Sequence, residues 1–555
     1  MTTGTVDPGP QVQHFRQVLL WPLSVSTRGV ATGHPPWHAL RDQGEGSPWR
    51  EQVDEYTGDP AKFHERHYQE FVTFLPYVQH FLFGEGRATR EAGGEGSDAD
   101  APMRVFRRRD VAAVRVVTRP GTAPITLNVV HVDLYFFFDV DVVLLNVEVE
   151  TGDLTLEQAQ ELLYRFGRGY PPGWDEQSRP MHCLLSAEWL DSAGRVLAAS
   201  DTHERELYVA HVARHRAPRI AAHWAWMLAP LVADHSDQHG PLHYRQIEYH
   251  RMPVMAFLAL RDPRSLTRSD WVRLGLVTGA GGSVGAESGL PYAEQHLADF
   301  EARYCYDRFW QAGGAAPDTR YLCSGHAMVV VGRADSEFFR CGVRGVLAQF
   351  RHQHFLIFMI AHFQKASLLM FSDHLVQALK RLHVRDASSV KRFKRAIRQS
   401  FEAFLRFTHR YWFRDVAEQA QARALFRMTV GHLGTEALYA EVKERTADMN
   451  SYLDADSLRR QANAVVRLTV VTIVGLIGTI TTGFLGMNLL AEADAPISRR
   501  IGFFVLVILV ATLLTGYTMA KSKRLSDFLD ALSDDRLSTW QKLKALAIVW
   551  RRESD

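Results

Sequence analysis

Two stretches near the C-terminal end differ from the rest of the chain in their pattern of apolar positions. Leu468 to Leu490 is 23 residues without a charge, and Ile501 to Ala520 is 20. Each is long enough to cross ~30 Å of hydrocarbon as a helix. Only residues 491–500 lie between them, so the pair reads as a helical hairpin with both outer ends on one side of a membrane. Arg459, Arg460 and Arg467 precede the first stretch, and Lys521, Lys523 and Arg524 follow the second. The bias of basic residues toward the inner face places those flanks, and both termini, in the cytoplasm. The expectation is a multi-pass protein of the cytoplasmic membrane.

Upstream, the pattern is that of a soluble α/β domain. Gln11 to Ser26 alternates as a strand does. Residues 84–102 are rich in Gly, Ala and charge and read as a flexible loop. From Arg104 to Glu150, β-branched and aromatic runs predict adjacent strands, with further strands near Cys183–Trp189 and Ile247–Leu260. Asp153 to Phe166 opens with a plausible cap and keeps helical spacing. No proline occurs between Asp318 and Ala495, which suits long helices. His354 to Leu379 is apolar enough to resemble another span, but His362, Gln364, Lys365, Asp373 and His374 interrupt it. A charge at mid-bilayer costs ~3 kcal/mol, so this segment reads as a buried helix of a bundle.

Between Gly434 and Gly475 nothing breaks a helix. One helix from about Thr435 to Leu485 would be roughly 75 Å long and would carry a cytoplasmic domain directly into the first apolar stretch. The expected organisation is an α/β cytoplasmic domain over 1–340, cytoplasmic helices over 341–434, and a stalk helix with the first transmembrane helix over 435–490. An external loop (491–500), the second transmembrane helix (501–520) and an amphipathic cytoplasmic tail (521–555) follow. That tail carries Leu529, Leu532, Leu537, Trp540, Leu543, Leu546 and Trp550 at roughly helical spacing.

Composition narrows the function classes. With 64 Lys and Arg against 62 Asp and Glu the net charge is +2, which argues against a dedicated nucleic-acid binder. Four cysteines, Cys183, Cys305, Cys323 and Cys341, exclude a disulfide-dense secreted scaffold. The N-terminus has no basic segment followed by an apolar one, so no signal peptide is expected. No nucleophile elbow or zinc-protease motif occurs, and no enzymatic activity is expected.

The first apolar stretch closes on Thr481-Thr482-Gly483-Phe484-Leu485-Gly486-Met487-Asn488. Gly-Met-Asn at the outer end of the penultimate transmembrane helix, before a short loop and one final helix, resembles the CorA family of divalent-cation channels. Asn463, Arg467, Leu468, Thr469 and Val470 also resemble the start of that span in the family. The likeness covers about residues 435–520; the soluble domain matches only in the order of its parts. It implies a homopentameric channel, with Mg²⁺ as the transported and the regulatory ion and Gly486, Met487 and Asn488 as the selectivity filter. Mg²⁺ gives up its waters reluctantly, so a ring of side-chain carbonyls such as that of Asn488 can hold the hydrated ion by its shell and still release it. Two spans from one chain cannot enclose a pore, so a channel requires an oligomer.

At 100° per residue, Val465, Leu468, Leu476, Thr479 and Gly483 fall within about 40° of Thr472 and form the expected pore lining. The stripe is apolar below, where Leu468 and Val465 would make a dewetting gate, and polar or small above. Gly475, Gly478, Thr479 and Gly483 equally suit close packing of helices through small residues. The loop residues Glu492 and Asp494 would concentrate cations by their field, against Arg499 and Arg500. This loop departs from the aromatic and Met-Pro-Glu pattern common in the family.

Other clusters are weaker. Asp234, His235, Asp237, His239 and His243 have the spacing of metal ligands on a helix, although Gly240-Pro241 interrupts one. Asp139 and Asp141 share a strand face and are candidates for sensing internal cations. Cys323-x-x-His326, with Cys305 and Cys341, lacks a paired zinc motif, and Gly279-Ala280-Gly281-Gly282-Ser283-Val284-Gly285 misses the dinucleotide fingerprint. The resulting expectation is a divalent-cation channel gated by internal cation, with no other cofactor and no nucleic-acid partner. Two alternatives stay open: a Zn²⁺ or other transition-metal transporter of the same architecture, or a membrane-anchored enzyme or binding module whose hairpin only oligomerises it.

Overall fold

The computed structural model describes residues 10–27, 35–52, 65–84, 102–138, 140–280, 293–380, 382, 387–485 and most of 496–517. The chain divides into two compact units, Met1–Glu444 and Arg445–Asp555.

The first unit is built on one mixed sheet of fourteen strands among the described residues. In chain order these are β1 (Gln11–Thr27), β2 (Trp49–Glu51), β3 (Met103–Arg108), β4 (Ala113–Val117), β5 (Ile125–Phe137), β6 (Val140–Thr155) and β7 (Ser186–Leu190). There follow β8 (Val196–Ala199), β9 (Val232–Ala233), β10 (Leu242–Gln246), β11 (Val254–Leu260), β12 (Cys305–Tyr306), β13 (Arg320–Cys323) and β14 (Ala327–Arg333). Along the main path the order is β12-β13-β14-β11-β1-β6-β5-β4-β7-β8. The pairs β11–β14 and β9–β10 are parallel, and the others are antiparallel. The long pair β1–β6 forms the spine, running from Gln11↔Thr155 to Ser24↔Val142.

Alternation along these central strands sends side chains to two cores. One face carries Phe15, Leu19, Trp21 and Leu23 of β1 with Val143, Leu145, Val147 and Val149 of β6. It is covered by the helix Leu156–Arg165 and by Trp189, Trp224 and Trp271. The opposite face carries Val18 and Leu20 with Val142 and Leu144, and the helix Phe355–Lys380 lies against it. Phe363 of that helix stacks on Phe137 of β5 at 3.9 Å between ring centroids. Because both faces are covered, the central strands read as near-continuous apolar runs.

Some sequence-level boundaries move. The helix after β6 starts at Leu156, capped by Thr155 in a reciprocal box with Gln158, and not at Asp153. Asp153 sits at φ +53° inside the end of β6, whose ladder to β1 persists to Thr155. Residues 247–253 are not a strand: β10 ends at Gln246 and β11 begins at Val254. The segment from Val232 to Gln246 holds β9, a turn and β10, so the spacing of Asp234, His235 and His239 does not align them on a helix face.

Two helices among the described residues are long and apolar enough to cross a membrane, Val346–Lys380 and Ile497–Leu514. The first is mostly buried inside the first unit, and its polar residues show why it belongs there. His362 Nε2 donates to Gly325 O at 3.1 Å, and Gln364 Nε2 donates to Tyr411 O at 2.9 Å and Phe413 O at 3.2 Å. Lys365 pairs with Glu248 at 3.2 Å, and Asp373 with Arg245. His362, Gln364, Lys365 and Asp373, each costly in lipid, all find a protein partner here. In the second candidate, Ile497–Leu514, none of the described residues is buried.

Candidate functional site

The helix Thr435–Leu485 runs for 51 residues, beginning in the first unit and continuing through the second. Its continuity has local causes: no proline or glycine occurs before Gly475. From Thr469 onward, threonine hydroxyls are tied back to the helix's own carbonyls. Thr469 Oγ1 donates to Val465 O (2.9 Å), Thr472 to Leu468 O (2.8 Å), Thr479 to Gly475 O (2.9 Å) and Thr482 to Gly478 O (2.9 Å). A hydroxyl that has given its proton to the backbone keeps its lone pairs. The outward chemistry of Thr472 and Thr479 is therefore that of an acceptor, suited to the hydrogens of a cation's hydration water.

The sequence-predicted lining is one solvent-facing stripe. Val465, Leu468, Thr472, Leu476, Thr479 and Gly483 are all exposed, Leu468 by 67%. Val470, almost opposite Thr472 in helical phase, is 4% exposed. Thr469, Ile473 and Gly475 beside the stripe are exposed as well, while Val466 and Val474, near Val470 in phase, are half-buried. Contiguous exposed apolar residues of this size, Val465, Leu468 and Leu476 here and Phe504, Leu509 and Leu513 of the following helix, require a partner surface or lipid. Gly486, Met487, Asn488, Glu492 and Asp494 lie outside the described residues, as does Asp139.

The remaining candidates are dispersed. Asp141 is exposed at the start of β6. Asp234 and His235 line a cavity of about 430 Å³ together with Tyr170, Gln246, Glu248 and Asp373, whereas His239 is exposed on the turn beyond. Two of the cavity's acids are already answered by bases, Asp373 by Arg245 and Glu248 by Lys365. Burial raises the Glu248 carboxyl and Lys365 opposes that rise. Asp237 pairs with Arg214 at 2.9 Å. Among the described residues no group of three or more His, Cys, Asp or Glu is placed to hold a metal ion. The four cysteines are free, and Cys323 Sγ lies 3.1 Å from Thr429 Oγ1.

Sequence reasoning missed a charged network on the sheet face beneath Phe350–His354. Arg16 of β1 bonds both Glu148 and Glu150 of β6, and Arg351 Nε donates to Glu148 Oε1 at 3.1 Å. Arg107 of β3 forks onto Asp133 of β5 at 2.7 and 3.2 Å. Burial works to raise the Glu148 carboxyl, but Arg16, Arg351 and His131 outweigh it and hold it below the ordinary range. The alternation of Arg16, Glu148 and Glu150 with apolar neighbours was visible, but it reads as a solvated strand face until the covering segment is known.

Comparison with protein-family models, curated proteins and solved structures gives no match for this chain.

Proposed function

We propose that several copies of this chain assemble, as a homopentamer, into a CorA-like channel that admits divalent cations, Mg²⁺ foremost, across the cytoplasmic membrane. The observation that carries the reading is the single helix Thr435–Leu485, whose stripe from Val465 to Gly483 is exposed while Val470 on the other side is buried. A symmetric ring of such helices would place Val465 and Leu468 at an apolar constriction, with the acceptor oxygens of Thr472 and Thr479 above it. The sequence Gly486-Met487-Asn488 would then form the external mouth. Ile497–Leu514 would form the outer, lipid-facing helix of each subunit.

Influx would be driven by the membrane potential, worth ~2.3 kcal/mol per charge per 100 mV. Binding of internal Mg²⁺ by the cytoplasmic units would favour the closed arrangement, and its loss would shift the population toward the open one. The test is Mg²⁺ uptake by a cell lacking its own uptake systems, together with the native mass of the detergent-solubilised protein. Uptake that is abolished by Asn488→Ala, in a protein that remains pentameric, is the expected result. Unchanged uptake in that variant, or a monomeric or dimeric native mass, defeats the proposal. A flux panel of Mg²⁺, Co²⁺, Ni²⁺ and Zn²⁺ in liposomes then ranks the cations.

A further inference from the structure

The segment Gly167-Arg168-Gly169 is laced to His250-Arg251-Met252 by two backbone hydrogen bonds, Gly169 N to His250 O and Met252 N to Gly167 O, each 2.8 Å. Arg168 and Arg251 are therefore direct antiparallel partners. These bonds flank the pair rather than join it, which is the narrow geometry in which α-carbons approach to about 4.5 Å and side chains lie closest. The glycines make the close seating possible. Gly167 has φ +97°, a Cβ there would meet Leu19 Cδ2 at 2.5 Å, and one at Gly169 would meet Trp21 at 3.1 Å. The chain thus sets Arg168 and Arg251 directly opposite each other, with their backbones seated against the core.

Like charges directly opposite on paired strands repel, and burial strengthens the repulsion. A carboxylate would be expected between them, yet among the described residues neither arginine has an acidic partner. Arg168 Nε donates to Tyr164 O at 3.1 Å and its Nη1 to His250 Nε2 at 2.9 Å. Arg251 Nη2 donates to the carbonyls of Leu276 (3.1 Å) and Val277 (2.7 Å), while its buried Nε finds no acceptor. His326 Nε2 is likewise buried without a partner among the described residues. The nearby carboxylate Glu161 is fully engaged by Arg119, Arg165 and the Ala280 amide.

The other titratable neighbours supply no negative charge. Burial raises the Cys183 thiol to about 12, so it stays neutral. Burial lowers His250 to about 4, and Arg168 and Arg251 add to that. Burial lowers Arg251 itself to about 10, with Arg168 contributing. Tyr164, Tyr249, Arg165 and His182 are the other titratable groups around the pair.

We propose that Arg168 and Arg251, with the unpartnered nitrogens Arg251 Nε and His326 Nε2, form a binding site for a phosphate-class oxyanion. The donors left over, on Arg168 Nη2 and on Arg251 Nε and Nη1, together with the two positive charges, suit a tetrahedral dianion, which would convert the repulsion between the arginines into joint attraction. The site lies in the first unit and does not depend on the channel reading; its failure leaves that reading untouched, and the reverse holds too.

The test uses the full-length protein in detergent, in chloride buffer at fixed ionic strength, titrated with inorganic phosphate. Saturable binding by equilibrium dialysis, with a concentration-dependent rise in thermal midpoint, is expected. Arg251→Gln should weaken phosphate binding at least tenfold while melting no lower than the parent protein in phosphate-free buffer, because it removes one of two unpaired like charges. Arg168→Gln should weaken binding similarly; if it does not fold, Arg251→Gln decides. Competition by a metal-free nucleoside triphosphate would assign the site to a nucleotide's phosphoryl group, and its absence to the free ion. No saturable phosphate binding, or binding unchanged in Arg251→Gln, overturns the proposal.

Discussion

Arg16 and Glu148 lie 132 residues apart in the chain and form an ion pair whose side chains are each only 7% exposed. The pair sits where β1 and β6 run side by side, and Arg351 reaches Glu148 from the segment above. Removing one member of a buried pair strands the other, at about 3–5 kcal/mol. Glu148→Gln should therefore lower the stability of the first unit by about that amount, read as a fall in thermal midpoint. The same substitution should flatten the acid limb of the stability profile. A carboxyl held below its unfolded value contributes fully above that value, and its contribution fades as pH falls through the folded one. The parent protein should lose stability steeply below about pH 4, near the ordinary carboxyl range. An equal acid limb in both proteins would refute the role.

Three fully buried histidines add a second, higher pH dependence. Burial lowers His223 and His354 to about 4 and His362 to about 3. In each case the unfolded chain takes up a proton near pH 6.5 that the folded chain refuses, so their stabilising effect is full above that pH and is lost as pH falls. The thermal midpoint should drop between pH 7 and pH 5. His362→Gln retains a donor for the Gly325 carbonyl without titrating and should reduce that slope. A slope unchanged by the variant would mean that His362 does not take part.

Gly167 and Gly121 both occupy positive φ, +97° and +79°, but only Gly167 is crowded. Alanine at Gly121 meets nothing within 4 Å and should cost about 1 kcal/mol through backbone strain alone. Alanine at Gly167 must also displace Leu19, which is buried, and should lower stability by about 3 kcal/mol or more. Parallel denaturant titrations of the two variants provide the comparison, and equal losses would contradict it.

The exposed stripe makes a prediction about water. In a background lacking the four native cysteines, single cysteines at Leu468, Thr472, Leu476 and Thr479 should react with a membrane-impermeant thiol reagent in the assembled protein. Cysteine at Val470 should not. Leu468→Ser should raise basal cation leak severalfold, since a polar ring keeps an apolar constriction wet. Protection of the whole stripe, with Val470 reactive, would place the wet side of the helix elsewhere.

What the sequence settled by itself was local. Unbroken helical propensity from Thr435 to Leu485, the alternation in Gln11–Thr27, and the polar interruptions of Phe355–Lys380 are each written in neighbouring residues, because helix and strand periods repeat within a few positions. The histidines and acids around Asp234 show the limit of that reading: their spacing matched a helix, but the chain there is strand, turn and strand. Only the tertiary structure decided which distant residues meet. Arg16 finds Glu148 through the β1–β6 register, Asp373 finds Arg245 across a cavity wall, and Arg168 faces Arg251 because two glycines let one strand press on another. Such pairings depend on register and topology, to which residues far apart in the chain contribute jointly. A buried charge therefore has a meaning, as ion pair or as site, only once its neighbours are in place.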